Sequence, residues 1–273
     1  MKYVKDKEWL LKNLYDVNVR IVDCRFSLAE PQKGENEYKR DHLPGAVFFD
    51  LEQDLSGMVK KHSGRHPLPK VEDLVLKLEQ AGISNNTIVI AYDNGEGAYA
   101  ARFWWLLRYL GHVNVYVLDG GYSRWQKGKL PVSANIPTFD KGVFQVDLKP
   151  ELMVTMVEVR EAIEKNSKIL IDSREEKRYQ GLEEPIDKIA GHIPNAINKP
   201  WMEGVRDNQY LPLEEQSKRF SEIDKKSPII VYCGSGVTAV PNFLALLETG
   251  FENVQLYVGS FSDWISYPEN NVE

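Results

Sequence analysis

The residues best suited to chemistry lie in VYCGSGVTA, residues 231 to 239, where a cysteine follows the apolar run Ile229-Ile230-Val231 and precedes small residues. Two chemistries compete for this stretch. Gly234, Gly236 and Ala239 fit the glycine fingerprint that cradles a dinucleotide pyrophosphate. Alternatively, Cys233 closes a strand ahead of a helix, so that backbone N–H groups and the helix dipole aim at its sulfur, a setting in which a thiol serves as a thiolate nucleophile. A dinucleotide fold places its fingerprint in the first βα turn and an acidic residue about twenty positions further on. Here the loop comes late, with only residues 234–273 after it, and VQLYVGSFSDW offers no suitably placed carboxylate. The nucleophile reading is preferred, both to the cofactor cradle and to a cysteine that merely packs. Pro241 is compatible with the first turn of the helix, where its missing N–H costs nothing. Cys24 lies inside IVDCR at a strand end and reads as packing.

The elements that position this loop occur twice. IVDCR (21–25) returns as LIDSR (170–174), and DHLPGA (41–46) as GHIPNA (191–196). Gly97, Gly111, Asn114, Gly120 and Trp125 return in the same order as Gly236, Gly250, Asn253, Gly259 and Trp264. Such a repeat means two copies of one supersecondary unit. Short β-branched runs (Ile88–Ile90, Val113–Leu118) alternate with helical segments (98–110 and 238–249), which argues for α/β domains with mainly parallel sheets flanked by helices. Gly111 and Gly250 stand where a helix C-cap glycine belongs. The expected division is an N-terminal domain, 1–138, a linker, 139–150, and a C-terminal domain, 151–273. Aligning the loops puts AYDNGEG (91–97) opposite VYCGSG (231–236), with Asp93 facing Cys233 and one extra residue in the first copy.

Bulk properties narrow the partners. A net charge of −6 argues against a broad nucleic-acid footprint, so any anion site must be local. The start MKYVKDKEWL lacks the apolar core of a signal peptide, and no apolar run approaches the length of a membrane span. The chain therefore reads as cytoplasmic, with no membrane and no nucleic-acid partner. Two cysteines are too few for a disulfide framework, and the five histidines show no metal-ligand spacing. No metal or cofactor is expected.

With these motifs in place, the chain resembles the two-domain rhodanese-type sulfurtransferases over nearly its whole length. The resemblance rests on the VD.R and HIPGA motifs near each domain start, and on the DGG…W ending seen here as LDGGYSRW and YVGSFSDW. It implies two tandem rhodanese-like domains, an N-terminal one without catalytic cysteine and a C-terminal one in which Cys233 carries a persulfide. The small-molecule sulfur donor would be 3-mercaptopyruvate or thiosulfate, and the acceptor cyanide or a thiol. The thiosulfate branch carries basic residues directly after the cysteine; Gly234 and Ser235 stand there instead, which resembles the mercaptopyruvate branch. Related phosphatases need an arginine at position 239, where this chain has alanine. A persulfide carrier or redox-sensing protein is the rival reading.

By the same resemblance, Arg174 and Arg178 are candidate anion anchors, and the backbone of Gly234, Gly236, Val237 and Thr238 would hold the negative sulfur. Arg174 has a twin, Arg25, in the domain without a cysteine, so a structural pairing with Asp172 is an equal reading for it. His66, in GRHPLP, is a candidate proton relay toward Ser235. The family's aspartate after LS is Gly57 here, with Asp54 close by in sequence as a substitute. His42 and His192 occupy equivalent positions in both halves and read as structural. The aromatic run 102–110 reads as a buried helix face.

Overall fold

Each half builds a five-stranded sheet whose neighbouring strands all run parallel. The computed structural model describes residues 1–273. In the first half the spatial order is Val4–Lys5, Val115–Leu118, Ile88–Tyr92, Val19–Asp23, Ala46–Phe48. In the second it is Met153–Val154, Val254–Tyr257, Ile229–Tyr232, Ile169–Asp172, Ile197–Asn198. Both halves therefore place their fourth strand in the centre. That position explains its composition: all four residues of Ile229–Tyr232 are buried, as a strand covered on both faces requires. Each such side chain contributes roughly 1.5–3 kcal/mol by leaving water.

The repeat extends to single hydrogen bonds. Tyr92 donates to Asp23 at 2.6 Å while its oxygen accepts from the backbone N–H of Leu43, and Tyr232 likewise accepts from that of Ile193. His42 and His192 each bond a tyrosine carbonyl through Nδ1, at 2.7 and 2.8 Å, and stack on that tyrosine's ring. The buried helix Ala98–Tyr109 carries Trp104 and Trp105 into the interior. Gly111 and Gly250 end their helices at φ of 89° and 90°, as their spacing predicts. Two element starts shift inward. The strand begins at Val115, because Val113 is exposed, and the last long helix begins at Val240, because the residues before it wrap around Cys233.

The chain forms two compact units, Met1–Gly57 with Pro69–Lys149 and Asp207–Tyr210, and Met58–Leu68 with Pro150–Arg206 and Leu211–Glu273. Three stretches fall differently from the sequence expectation, one of them Asp207–Tyr210, which joins the first unit. The stretch expected as a linker runs with the first unit as far as Lys149, held where Gly142 donates to the Glu79 carbonyl and Asp147 to that of Leu110. Met58–Leu68 belongs to the second unit. His62 bonds Ser266 at 2.8 Å and stacks on Tyr267, and the Arg65 N–H donates to Ser262.

Candidate active site

Cys233 stands at the C-terminal end of the central strand of the second unit, the edge at which open α/β sheets place their ligands. The neighbouring strands end beside it in Ser173-Arg174 and Val258-Gly259-Ser260. The cysteine's own N–H donates to Ser260 Oγ at 3.1 Å, and its carbonyl accepts from Phe261 at 2.9 Å, so its backbone is fixed from both directions. The Gly236 N–H then turns back onto the sulfur, donating to Sγ at 3.1 Å. That turn requires glycine. Gly236 has φ of 77°, and a Cβ there would lie 2.1 Å from the Val258 carbonyl oxygen. The fingerprint glycines thus fold around the chain's own sulfur. Cys233 is 1% exposed and Ser235 8%; Gly234, Gly236 and Val237 are buried around them, and Thr238 is half-buried.

The strap 62–66 supplies the rest of the site. His66 is buried, and its Nδ1 lies 2.8 Å from Ser235 Oγ, a distance that lets a proton pass between them. The Asp54 carboxylate, suggested by its place in sequence as a partner for that histidine, is held by Lys77 and by the backbone N–H of Asp50.

The two candidate arginines differ in situation. Arg174 is 1% exposed, doubly bonded to Asp172, and donates to the Gly191 carbonyl at 2.6 Å and to Glu184 at 3.2 Å. Arg25 makes the same contacts to Asp23 and the Asp41 carbonyl, the latter also at 2.6 Å. Its fork closes the strand end as that of Arg25 does in the first half, while its bond to Glu184 also ties it to the carboxylates around Arg178. Arg178 reaches the loop. Its side chain bonds Glu184 at 2.7 Å and Asp187 at 3.0 Å, and its Nη2 lies 3.6 Å from where a Cβ on Gly234 would be.

Arg65 was not among the residues singled out from sequence, although it precedes His66 in GRHPLP. Its Nη2 comes nearer still, 2.7 Å from the same point over Gly234, and its Nη1 pairs with Asp187. Burial lowers the Arg65 pKa, and the neighbouring Cys233 pulls it the other way. The short 3.1 Å contact from Gly236 and two guanidiniums above Gly234 make a seat for a sulfur nucleophile facing an anion. Elsewhere, no group of three or more His, Cys, Asp or Glu side chains is placed to hold a metal ion. Cys24 is fully enclosed, and burial followed by the Asp23 charge pushes its thiol pKa well above the ordinary value.

A thiol at the sheet's carboxyl edge, bonded by the Gly236 N–H and reached by arginines, marks a candidate group-transfer site in an α/β protein with a duplicated domain. Residues 6–128 and 155–267 each match the Rhodanese-like domain, and the chain belongs to that family. It is 39% identical over 96% of its length, and 95% of the other chain, to a Pseudomonas aeruginosa protein named "Probable 3-mercaptopyruvate sulfurtransferase". It is 32% identical to the thiosulfate sulfurtransferase of Gallus gallus, over 90% of this chain and 86% of that one. The crystal structure of SseA from Escherichia coli, titled for the catalytic mechanism of 3-mercaptopyruvate sulfotransferases, superposes with a TM-score of 0.86 at 33% identity. That match covers 96% of this chain and all of the other. No helix of the structure is long and apolar enough to cross a membrane.

Proposed function

We propose that the chain is a sulfurtransferase that moves a sulfane sulfur from a small anionic donor to a thiol or cyanide through a persulfide on Cys233. The observation that carries this is the Gly236 N–H directed at Sγ from a turn that any side chain at 236 would block. In the first half-reaction, the thiolate attacks the donor's terminal sulfur and forms an S–S bond. From mercaptopyruvate the C–S bond breaks, the electron pair stays on carbon as the pyruvate enolate, and the proton from the donor thiol ends on that carbon. From thiosulfate the S–S bond breaks and sulfite leaves, with no proton to place. In the second half-reaction, the acceptor takes the outer sulfur and Cys233 returns as thiolate, a two-step covalent cycle with ping-pong kinetics.

The side chains divide these tasks. Ser235 and His66, in contact at 2.8 Å, carry the proton that only mercaptopyruvate requires. Arg178 and Arg65 hold the donor's anionic group, with bidentate forks suited to a carboxylate. The backbone of Gly234 to Thr238 stabilises the extra charge of the persulfide. Arg174 frames the site from behind. The N-terminal unit carries Asp93 in the cysteine's place and acts as a non-catalytic scaffold. Mercaptopyruvate is the preferred donor, supported by the proton-transfer pair and by the uncharged Gly234 and Ser235 after the cysteine. A reducing compartment such as the cytoplasm keeps both thiols free.

The test is kcat/KM for both donors, in wild type and Cys233→Ser. Mercaptopyruvate is expected to give the higher value, and the variant none with either. A wild-type rate no greater than the variant's, with either donor, removes the enzyme reading and leaves the persulfide carrier.

A further inference from the structure

The anion seat is already filled by a side chain of the protein itself. The Asp187 carboxylate lies between Arg65 and Arg178, pairing with one through Oδ1 and with the other through Oδ2 at 3.0 Å. Its side chain is 2% exposed, although its neighbours Ile186 and Lys188 are exposed. Asp187 Oδ2 is also 3.5 Å from the point where a Cβ on Gly234 would sit, one residue from the nucleophile. Around this seat, Arg65, Arg174 and Arg178 face the buried carboxylates of Asp172, Glu184 and Asp187, three against three, and the exposed Glu175 adds a fourth carboxylate 3.9 Å from Arg178 at the rim.

From this arrangement we infer that Asp187 is a specificity-determining residue: it occupies the donor's anion seat and sets its charge for a monoanionic carboxylate rather than a dianion. The inference rests on the proposal that the donor's anionic group docks on Arg65 and Arg178. A carboxylate donor exchanges with Asp187 one for one. Both groups are planar, both span two guanidiniums, and the charge beside the sulfur is unchanged. A tetrahedral dianion such as thiosulfate, making the same exchange, adds a second negative charge next to Glu184 and the Cys233 thiolate. In a mostly buried site that repulsion is poorly screened. Asp187 thus acts before chemistry, by deciding which anion can take its place.

The experiment uses Asp187→Asn and Asp187→Glu. In Asp187→Asn the ratio of kcat/KM for thiosulfate to that for mercaptopyruvate is expected to rise about tenfold, since the displaced Asp187 carboxylate stays tethered beside the seat and repels a dianion twice as strongly as a monoanion, whereas the amide repels neither. In Asp187→Glu, which keeps the charge, the ratio stays near wild type. A readout without turnover accompanies this: at constant ionic strength, sulfate should raise the melting temperature of Asp187→Asn more than that of the wild type. In the wild type itself, pyruvate should bind more tightly than sulfate, measured as competitive inhibition or as thermal stabilisation. Tighter sulfate binding in the wild type overturns the inference, even if Asp187→Asn does not fold. So does a folded Asp187→Asn with an unchanged donor ratio. Loss of all Cys233-dependent transfer with both donors would instead sink the proposed function, leaving the two binding measurements to decide the role of Asp187.

Discussion

The loops after the two central strands are the same turn built around different side chains. In the second unit the loop surrounds Cys233, whose sulfur receives the Gly236 N–H at 3.1 Å. In the first, the Asp93 carboxylate fills the space itself and accepts four backbone N–H bonds, from Gly95, Gly97, Tyr99 and Ala100, at 2.9 to 3.2 Å. The segment 207–210 then covers it: Tyr210 donates through its hydroxyl to the Gly97 carbonyl, and its ring lies where a Cβ on Gly97 would be. A βα corner of this kind is a ready-made anion cradle. Supplied with a fixed carboxylate and covered, it becomes structural. Supplied with a thiol and approached by arginines, it becomes a place where charge can be created and removed.

The largest effects should separate the two loops completely. Cys233→Ser is expected to lower sulfur transfer at least ~10³-fold, because a hydroxyl in the same seat is not ionised and cannot hold a sulfane sulfur. Its stability should stay within about 1 kcal/mol of wild type, since one buried atom changes without a change of volume class. Steady-state kinetics and a denaturant titration read the two quantities. Full activity in the variant would show that the loop's sulfur is not the nucleophile.

Next in size is the proposed proton-transfer pair of His66 and Ser235, which has no counterpart in the first loop, where Glu96 stands opposite Ser235. His66→Ala and Ser235→Ala should each lower kcat/KM for mercaptopyruvate by ~10²–10³, the range of general acid–base catalysis. Thiosulfate cleavage moves no proton, so its kcat/KM should fall less than about tenfold in the same variants. Equal losses with both donors would reduce the pair to a positioning role.

The mirror experiment belongs to the first loop. Asp93→Ala leaves four buried N–H groups without their acceptor, and should cost about 3 kcal/mol of stability. Sulfur transfer by the folded fraction should be unchanged. Chemical denaturation against kcat/KM makes the measurement, and a loss of activity with intact stability would give the first loop a catalytic part.

Much of this contrast was legible in the residues. The duplicated motifs announce the same parallel α/β unit twice, and the facing loops differ at Cys233 and Asp93. Ser235 and His66, far apart in sequence, come together as the family resemblance implies. What could not be read depends on long-range contacts with no periodic signature. Arg65 had a signal, its place beside His66 in GRHPLP, but its pairing with Asp187 across 122 positions is set by how the strap 58–68 lies on the second unit. Arg174 looked equally fit for framing or binding. The contacts it shares with Arg25 favour the framing role, and they appear only once the fold is known. The late start of the helix at Val240 follows from the loop's need to circle the sulfur before the helix can begin.

The smallest effect concerns Glu96, the first loop's second carboxylate. Burial raises its pKa, and the charge of Asp93 raises it further. A carboxyl whose folded pKa lies above the unfolded value binds its proton more tightly in the native state. It therefore favours folding below the ordinary glutamate value of 4.5, and that contribution is lost as pH rises through the raised folded pKa. Glu96→Gln should accordingly flatten the fall in stability over that window and leave the variant the more stable at neutral pH, by no more than about 1 kcal/mol because the group is partly solvated. Ser235, its counterpart, has no charge to relieve. Denaturation midpoints of wild type and Glu96→Gln between acid and neutral pH make the comparison. A difference that grows as the pH is lowered would mean that Glu96 is stabilised as the anion, and that the first loop, like the second, gathers negative charge by design of its backbone.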